Sequence, residues 1–385
     1  MKENALGNPY EQHSDVPQFV EECKRVKLSE ICSKGKSSLR QKDVFNDGPY
    51  NVYGASGIVG TMDQYQNEIP YVAVVKDGAG VGRANACEPK TSVLGTMQAL
   101  IPNSNVERDY LLHLVRSLRL GDGFSGSTIP HIYFKDYGKI EVPLPSIDVQ
   151  KRIVSRLGSV EAQVAQAEAQ IDQLDFLVKS RFIEMFGDPT EANKQAWSYS
   201  RLGDLLLIER GGSPRPIKSF LTNDPRGINW IKIGDATDGS KFITGTKEKI
   251  KKEGVRFSRM VRKGDFLLSN SMSFGRPYIL DIEGCIHDGW LVLRDERGQF
   301  DSLWLYEALS SQAVYEAFKQ RVRGGVVNNL NKDLVSSVAL IVPPLALQQE
   351  FAAFATQVDK LRFATQQQID KLETLKKSLM QEYFE

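Results

Sequence analysis

The apolar positions of this chain include one stretch of unbroken helical spacing. Between residues 148 and 187, Ile153, Leu157, Val160, Val164, Ala167, Ile171, Leu174 and Val178 recur at alternating steps of four and three. That alternation is the a/d seam of a heptad repeat, a stripe narrow enough to be covered by one partner helix. Pro145 precedes it, Ser146 or Asp148 can cap its start, and Gly187, Asp188 and Pro189 stop it. A helix of this length spans about 60 Å at 1.5 Å per residue.

The partner lies in the same chain. Residues 347–385 repeat the first stretch at a constant offset of 198. Ile171, Asp172 and Leu174 recur as Ile369, Asp370 and Leu372. Leu177, Lys179, Ser180 and Phe186 recur as Leu375, Lys377, Ser378 and Phe384. Upstream, Val142, Pro143, Pro145 and Gln150 are echoed by Val342, Pro343, Pro344 and Gln348. Two unrelated solvated helices that shared only their Lys, Gln and Glu content would not hold one offset.

Elsewhere the pattern is mixed. Residues 27–145 suggest strands at Tyr71–Val75, Ser92–Ile101 and Lys139–Val142, and a helix at Val106–Leu118. Glycine loops stand at Gly54–Gly60, Lys76–Gly82 and Gly121–Thr128, the last leading to Pro130 and His131. After residue 197 the pattern restarts, with Leu202-Gly203-Asp204-Leu205 echoing Leu28-Ser29-Glu30-Ile31. Strands are expected at Ile228–Ile233, Asp265–Ser269, Tyr278–Ile282 and Trp290–Leu293, a helix at Leu303–Gln320 and a glycine loop at Arg323–Asn331.

Together these features predict an α+β chain with a pseudo-two-fold internal repeat: two mixed α/β domains separated by two long helices that form an antiparallel coiled coil. The expected divisions are a polar lead-in at 1–26 packing near the C-terminal helix, a first globular domain at 27–145 and a spacer helix at 146–187. A second globular domain at 188–343 and a C-terminal spacer helix at 344–385 follow.

Composition adds exclusions. The net charge of +1 does not announce nucleic-acid binding, so any such case rests on local patches. The four cysteines lack metal spacing and read as reduced thiols of a cytoplasmic protein. No apolar run approaches a membrane span, and the polar N-terminus does not read as a signal peptide. Catalytic motifs are near misses. Gly121–Thr128 has a phosphate-loop frame, but Ser127 stands where the lysine belongs. Asn8-Pro9-Tyr10 lacks the second proline of a methyltransferase motif, and Asp281 with Glu283 has no lysine at nuclease spacing. None of the four histidines has zinc-hydrolase spacing, and His113, in an apolar helix, reads as a core residue.

Basic residues do cluster. Residues 24–42 carry Lys24, Arg25, Lys27, Lys34, Lys36, Arg40 and Lys42 against Glu30 alone, and residues 241–263 carry nine basic residues against Glu248 and Glu253. Such runs suit a phosphate track when glycine loops bearing polar side chains accompany them. Lys34, Lys36, Lys251 and Lys252 are therefore candidate phosphate contacts. For base readout the candidates are Lys76, Arg83, Ser125, Ser127, Thr128 and His131 in the first half. In the second half they are Arg215, Asn270, Ser271, Arg276, Arg323, Asn328 and Asn329, since Arg suits guanine and Asn suits adenine. Tyr53, heading a glycine loop, offers a stacking surface.

The order of these features resembles the specificity subunit of type I restriction-modification enzymes. VPLPSIDVQKRIVSRL at 142–157 and VPPLALQQEFAAF at 342–354 carry the likeness, with IDQLDFLVKSRF at 171–182 and IDKLETLKKSLM at 369–380. GDLLLIERGGSPRP, INWIKIGD and RKGDFLLSNSMSFGRP look like the start and strands of a target recognition domain; YGASGIVGTMDQY, VVKDGAGVGRAN and GSTIPHIYFKD are similar to another type. Val149 and Leu347 depart from the acidic residue frequent before the glutamine. The resemblance implies a non-catalytic subunit of a restriction and adenine-methylation complex. Each recognition domain would read one half of a bipartite, gapped site in double-stranded DNA. The helices would set the gap and dock two modification (methyltransferase) subunits. It implies no cofactor in this chain, S-adenosylmethionine in the modification subunits, and ATP with magnesium in the restriction (translocase) subunits. The competing expectation is a coiled-coil interaction scaffold whose globular domains bind protein.

Overall fold

The structure, a computed structural model, describes residues 23–126, 129–192, 197–237, 239–270, 274–322 and 329–385. Two 40-residue helices, Ile147–Phe186 and Leu345–Phe384, organise it. The first starts where the Gln150 N–H donates to the Ser146 carbonyl, and stops at Gly187, whose φ of +71° turns the chain out of the helix. The chain divides into two compact units, one comprising Met1–Glu168 with Gln366–Glu385, the other Ala169–Thr365. Each unit thus folds a globular half together with one end of each long helix.

In the first unit the helices run antiparallel. Arg156 donates to the Tyr383 hydroxyl at 3.2 Å, and Glu161 pairs with Lys376 at 3.0 Å. Ile153, Leu157 and Val160 share one apolar core with Leu379, Tyr383 and Phe384. A four-stranded antiparallel sheet packs on them, ordered Cys32–Lys34, Met97–Pro102, Tyr71–Val75, Ala84–Cys87. Tyr71–Val75 is buried on both faces: Val72 and Val74 face the core that includes the helix ends, while Tyr71, Ala73 and Val75 face a second cluster with Tyr53 and Met97. The helix Arg108–Ser117 is capped by the Glu107 carboxylate, which accepts from the N–H groups of Asp109 and Tyr110. The strand Arg25–Lys27 pairs with Glu141–Pro143 and ties the domain's start to its end.

The second unit repeats this plan with more strands. Asp175 pairs with Arg362 at 3.1 Å and Arg181 with Glu350 at 3.6 Å, again antiparallel, and the Phe182 and Phe351 rings meet edge to face. Ser198–Arg201 pairs with Ala339–Val342. One five-stranded sheet follows the order Leu207–Arg210, Trp290–Arg294, Phe266–Ser269, Pro277–Leu280, Phe242–Ile243. Alternation decides its faces: Phe266, Leu268, Leu291 and Leu293 join the core with Phe182 and Phe351, while Leu267 and Val292 face the opposite cluster. A second five-stranded sheet contains Ile228–Ile231 and Gly284–Ile286.

Several expected elements are adjusted. Gly54–Gly60 is not a loop but the turn and inner ends of a hairpin, Tyr50–Gly54 with Gly57–Met62, because only Ala55 and Ser56 separate the strands. The expected strand Ser92–Ile101 is two, Ser92–Val93 and Met97–Pro102, split by a turn in which the Met97 N–H donates to the Leu94 carbonyl. The expected helix Leu303–Gln320 is also two, Ser302–Ser310 and Gln312–Val322, since Ser311 is extended and its hydroxyl accepts from the Val314 N–H. Of the lead-in, residues 1–22 lie outside the described residues; Arg25 donates to the Glu385 carbonyl at 3.4 Å. No helix among the described residues is long and apolar enough to cross a membrane.

Candidate nucleic-acid interface

In the first globular half, strand Tyr71–Val75 delivers Lys76 and Asp77 into a glycine turn. Gly82 closes the turn by donating to the Val75 carbonyl at 2.8 Å. Its φ is +85°, and a side chain there would overlap the backbone of Gly121, so only glycine lets the two loops meet. His131 locks a third segment in place. Its backbone exchanges two hydrogen bonds with Ser125, and the next N–H, of Ile132, donates to the Lys76 carbonyl at 3.0 Å. The His131 ring lies 2.8 Å from the Asp77 carboxylate through Nδ1 and stacks on Tyr133. Beside it opens a cavity of about 810 Å³ lined by Arg119, Asp122, Ser125, His131 and Tyr133 among others. Lys76, Ser125 and His131 are thereby joined in one loop cluster. Arg83 is exposed at its margin, its guanidinium folded back toward the Ala79 and Gly80 carbonyls.

In the second half one carboxylate gathers the loops. Asp288 Oδ1 accepts from the Ser213 hydroxyl at 2.9 Å and lies 2.9 Å from His287 Nε2, and Oδ2 lies 3.5 Å from Arg215. The Asp288 carbonyl accepts from Arg210 and Asn270. Burial pushes the Asp288 carboxyl up, but the Ser213 hydroxyl, His287 and Arg210 outweigh it, and the group stays below the ordinary carboxylate value. The Leu330 N–H donates to the Asn270 carbonyl, bringing that segment alongside. A cavity of about 860 Å³ is lined by Arg215, Lys218, Trp230, Lys232 and His287 among others.

Ser127, Thr128, Ser271, Arg323 and Asn328 lie outside the described residues. Two expected contacts are corrected by burial. Tyr53 sits in the strand Tyr50–Gly54 with its ring in the core, so it packs there and offers no stacking surface. The Asn270 amide is turned inward to the Asp288 carbonyl and presents no edge to solvent. Lys34, Lys36, Lys252 and Asn329 are exposed. Lys251 donates to the Ser219 carbonyl at 2.9 Å, and the Arg276 guanidinium lies over the Tyr278 ring at 5.5 Å. The basic run at 241–263 is not one open track, because neighbouring acids neutralise much of it. Arg259 pairs with Glu209, Lys263 with Asp281, and Lys241 with Glu307 and Asp359. Asp77, Ser213, His287 and Asp288 were not among the expected residues; the available signal for the last two was a polar His-Asp-Gly turn between two apolar strands. No group of three or more His, Cys, Asp or Glu side chains among the described residues has metal-binding geometry.

The sequence profile of the type I restriction modification DNA specificity domain matches this chain twice, over residues 20–175 and 194–374. The chain belongs to that family. Each matched stretch takes in one globular half and most of the long helix that follows it. Among relatives of this specificity-domain chain, the StySPI specificity subunit of Salmonella potsdam is 23% identical over 309 residues, 74% of this chain and 65% of that protein. The putative MjaX specificity subunit of Methanocaldococcus jannaschii is 22% identical over 73% of this chain and 68% of its own length. A putative type I specificity subunit of Haemophilus influenzae is 23% identical and covers 89% and 84% respectively. The fold is similar to that of the type I restriction-modification S subunit from M. genitalium, with a TM-score of 0.58, 15% identity, and coverage of 94% of this chain and 96% of that one. A chain from a structural study of type I R-M complex assembly and conformational transition gives a TM-score of 0.62 at 19% identity, covering 94% and 97%.

Proposed function

We propose that this chain is the DNA sequence-specificity subunit of a type I restriction-modification complex. Each globular domain reads one half of a bipartite, gapped site in double-stranded DNA, and the long helices set the gap. The observation that carries this reading is a repeated frame bearing two differently built loop clusters, one around Asp77 and His131, the other around Asp288. A symmetric frame with unlike reading loops suits an asymmetric two-part sequence. Both clusters present exposed polar side chains on short loops held rigidly by strands, as base readout requires.

The chain supplies recognition and not chemistry. Methylation of adenine belongs to two modification subunits that bind S-adenosylmethionine, and translocation to restriction subunits that use ATP and magnesium. Docking of the modification subunits falls to the helices, which in the second unit leave Phe176, Ile183, Leu361 and Phe363 between 57% and 71% exposed. Large apolar side chains left this exposed suit a protein partner. The complex works in the cytoplasm, where the DNA is.

The test is a methylation map. The chain is expressed with its modification subunit in a host free of adenine methylation, and N6-methyladenine is read across the genome. A gapped two-part motif is expected. A soluble complex that methylates no motif would overturn the reading in favour of a protein-binding scaffold.

A further inference from the structure

A group that reads a base must present a polar edge whose donor or acceptor character is settled in advance. His131 meets that requirement. A carboxylate only accepts, so the ring proton shared with Asp77 is carried on Nδ1, and an imidazole carrying that one proton exposes Nε2 as a lone pair. Among the described residues no hydrogen bond engages Nε2. The ring is held by its Asp77 contact, on a backbone paired to Ser125 by two hydrogen bonds, and the Tyr133 ring lies nearly parallel to it, at 18° with centroids 6.4 Å apart. The side chain is 35% exposed and lines the open cavity of the first domain.

His287 shows what the alternative looks like. The Gly289 N–H donates to its Nδ1 at 2.9 Å, and its Nε2 faces Asp288 at 2.9 Å. Its Nδ1 is already engaged and its Nε2 sits against Asp288, so His287 offers no bare lone pair to a ligand.

We propose that His131, oriented by Asp77, is a specificity-determining residue of the first domain, its Nε2 accepting from the exocyclic amino group of adenine or cytosine in the major groove. Adenine N6 and cytosine N4 are donors there, whereas thymine O4 and guanine O6 and N7 are acceptors that would set lone pair against lone pair. The inference rests on the reading of this chain as a DNA-specificity subunit.

The experiment compares methylation motifs of the full complex carrying the wild-type chain, His131→Asn, His131→Gln and Asp77→Ala. Asn keeps a donor near the Nδ1 position for Asp77 but places nothing at Nε2; the Gln amide oxygen reaches toward the Nε2 position. His131→Asn is expected to make one position of one half-site degenerate, with discrimination there falling about 10- to 100-fold. Asp77→Ala relaxes the same position, His131→Gln retains it, and the other half-site and the gap do not change. Two results overturn the inference: variants whose motifs match the wild type at every position, or a His131→Gln motif as relaxed as that of His131→Asn. A wild-type chain that yields no gapped motif overturns the underlying reading as well.

Discussion

Gln150 and Gln348 make the same three hydrogen bonds in two different surroundings. Gln150 accepts from the Glu107 N–H at 2.8 Å and donates to the carbonyls of Asn105 and Pro145 at 3.0 and 2.9 Å. Gln348 accepts from the Asp301 N–H at 2.9 Å and donates to the carbonyls of Gln299 and Pro343 at 3.0 and 2.8 Å. Glu107 and Asp301 are the residues that cap the domain helices Arg108–Ser117 and Ser302–Ser310. Each glutamine, fully buried in the first turns of a long helix, therefore clamps the loop before a domain helix to the proline turn before its own helix. The amide carries both an acceptor and donors, which is what a joint between one N–H and two carbonyls needs.

Removing either clamp takes the partner from three backbone groups, most of them partly buried. Gln150→Leu and Gln348→Leu are each expected to destabilise the chain by on the order of 2 kcal/mol or more, at the upper end for a single polar contact. Urea unfolding followed by circular dichroism checks this. A loss no larger than that of an exposed substitution such as Gln163→Leu would show that the clamp does not hold the joint.

Lys241 ties the second domain to the second long helix. Its ammonium lies 3.1 Å from Asp359 and 3.3 Å from Glu307. Burial pulls the Lys241 pKa down, but the two carboxylates outweigh it, so the lysine stays charged; burial also pushes the Glu307 carboxyl up. Lys241→Met strips the cation from two partly buried acids and is expected to cost on the order of 3 kcal/mol. Adding Glu307→Leu to Lys241→Met is expected to recover part of that loss, which a double-mutant cycle measures.

His113 makes the first unit sensitive to acid. Burial lowers its pKa below the ordinary 6.5, with Arg116 and Lys376 acting in the same direction and Glu161 and Asp109 opposing. The unfolded chain then binds a proton more readily than the folded one, so stability is complete above about pH 6.5 and falls as pH drops from there toward the folded value. The slope for one proton is at most about 1.4 kcal/mol per pH unit. Thermal unfolding of the wild type against His113→Leu between pH 7.5 and 5 tests it; the substitution is expected to flatten the decline.

The frame was legible in the sequence because periodicity and identity both recorded it. Ile153 to Val178 are spaced as a seam, and its two ends enter the cores of the two units, Ile153, Leu157 and Val160 in one and Val178 in the other; the echo of Gln150 in Gln348 marked a joint that the structure builds twice. The loop clusters were legible only in part. Asp77 and His131 are 54 positions apart, and nothing local in either loop announces that they meet. Tyr53 and Asn270 were misjudged for one reason: polar residues near glycine loops look exposed until the strand that carries the first and the strand that ends just before the second are seen to be buried. The basic run at 241–263 misled because its acidic partners, Glu209, Asp281, Glu307 and Asp359, come from other segments.

Arg215 and Lys252 are expected to fail differently. Arg215 is oriented toward Asp288 in the second cluster, and Lys252 is exposed at the start of a short helical turn. Arg215→Ala should weaken binding to the cognate duplex by about 1–3 kcal/mol and relax one position of one half-site. Lys252→Ala should weaken all duplexes alike and reduce the slope of log K against log salt by about 1. Fluorescence anisotropy over a salt series on cognate and scrambled duplexes, with the modification subunits present, separates the two. Equal losses on both duplexes for Arg215→Ala would assign it to the backbone.

The proposed gap-setting role of the helices is testable by lengthening both of them. Seven residues inserted after Glu168, with seven more after Thr365, preserve the heptad seam and lengthen each helix by about 10 Å. At about 3.4 Å per base pair that corresponds to roughly three base pairs of extra gap. The match is imperfect in rotation. A heptad turns the helix by only about 20° from register, whereas three base pairs turn the duplex by roughly a quarter of its 10.5-pair repeat. The expected result is therefore a motif with both half-sites intact, a gap longer by about three, and slower methylation than the parent. An unchanged gap would mean that something other than helix length sets the spacing, and altered half-sites would mean that the inserted turns disturb the recognition loops.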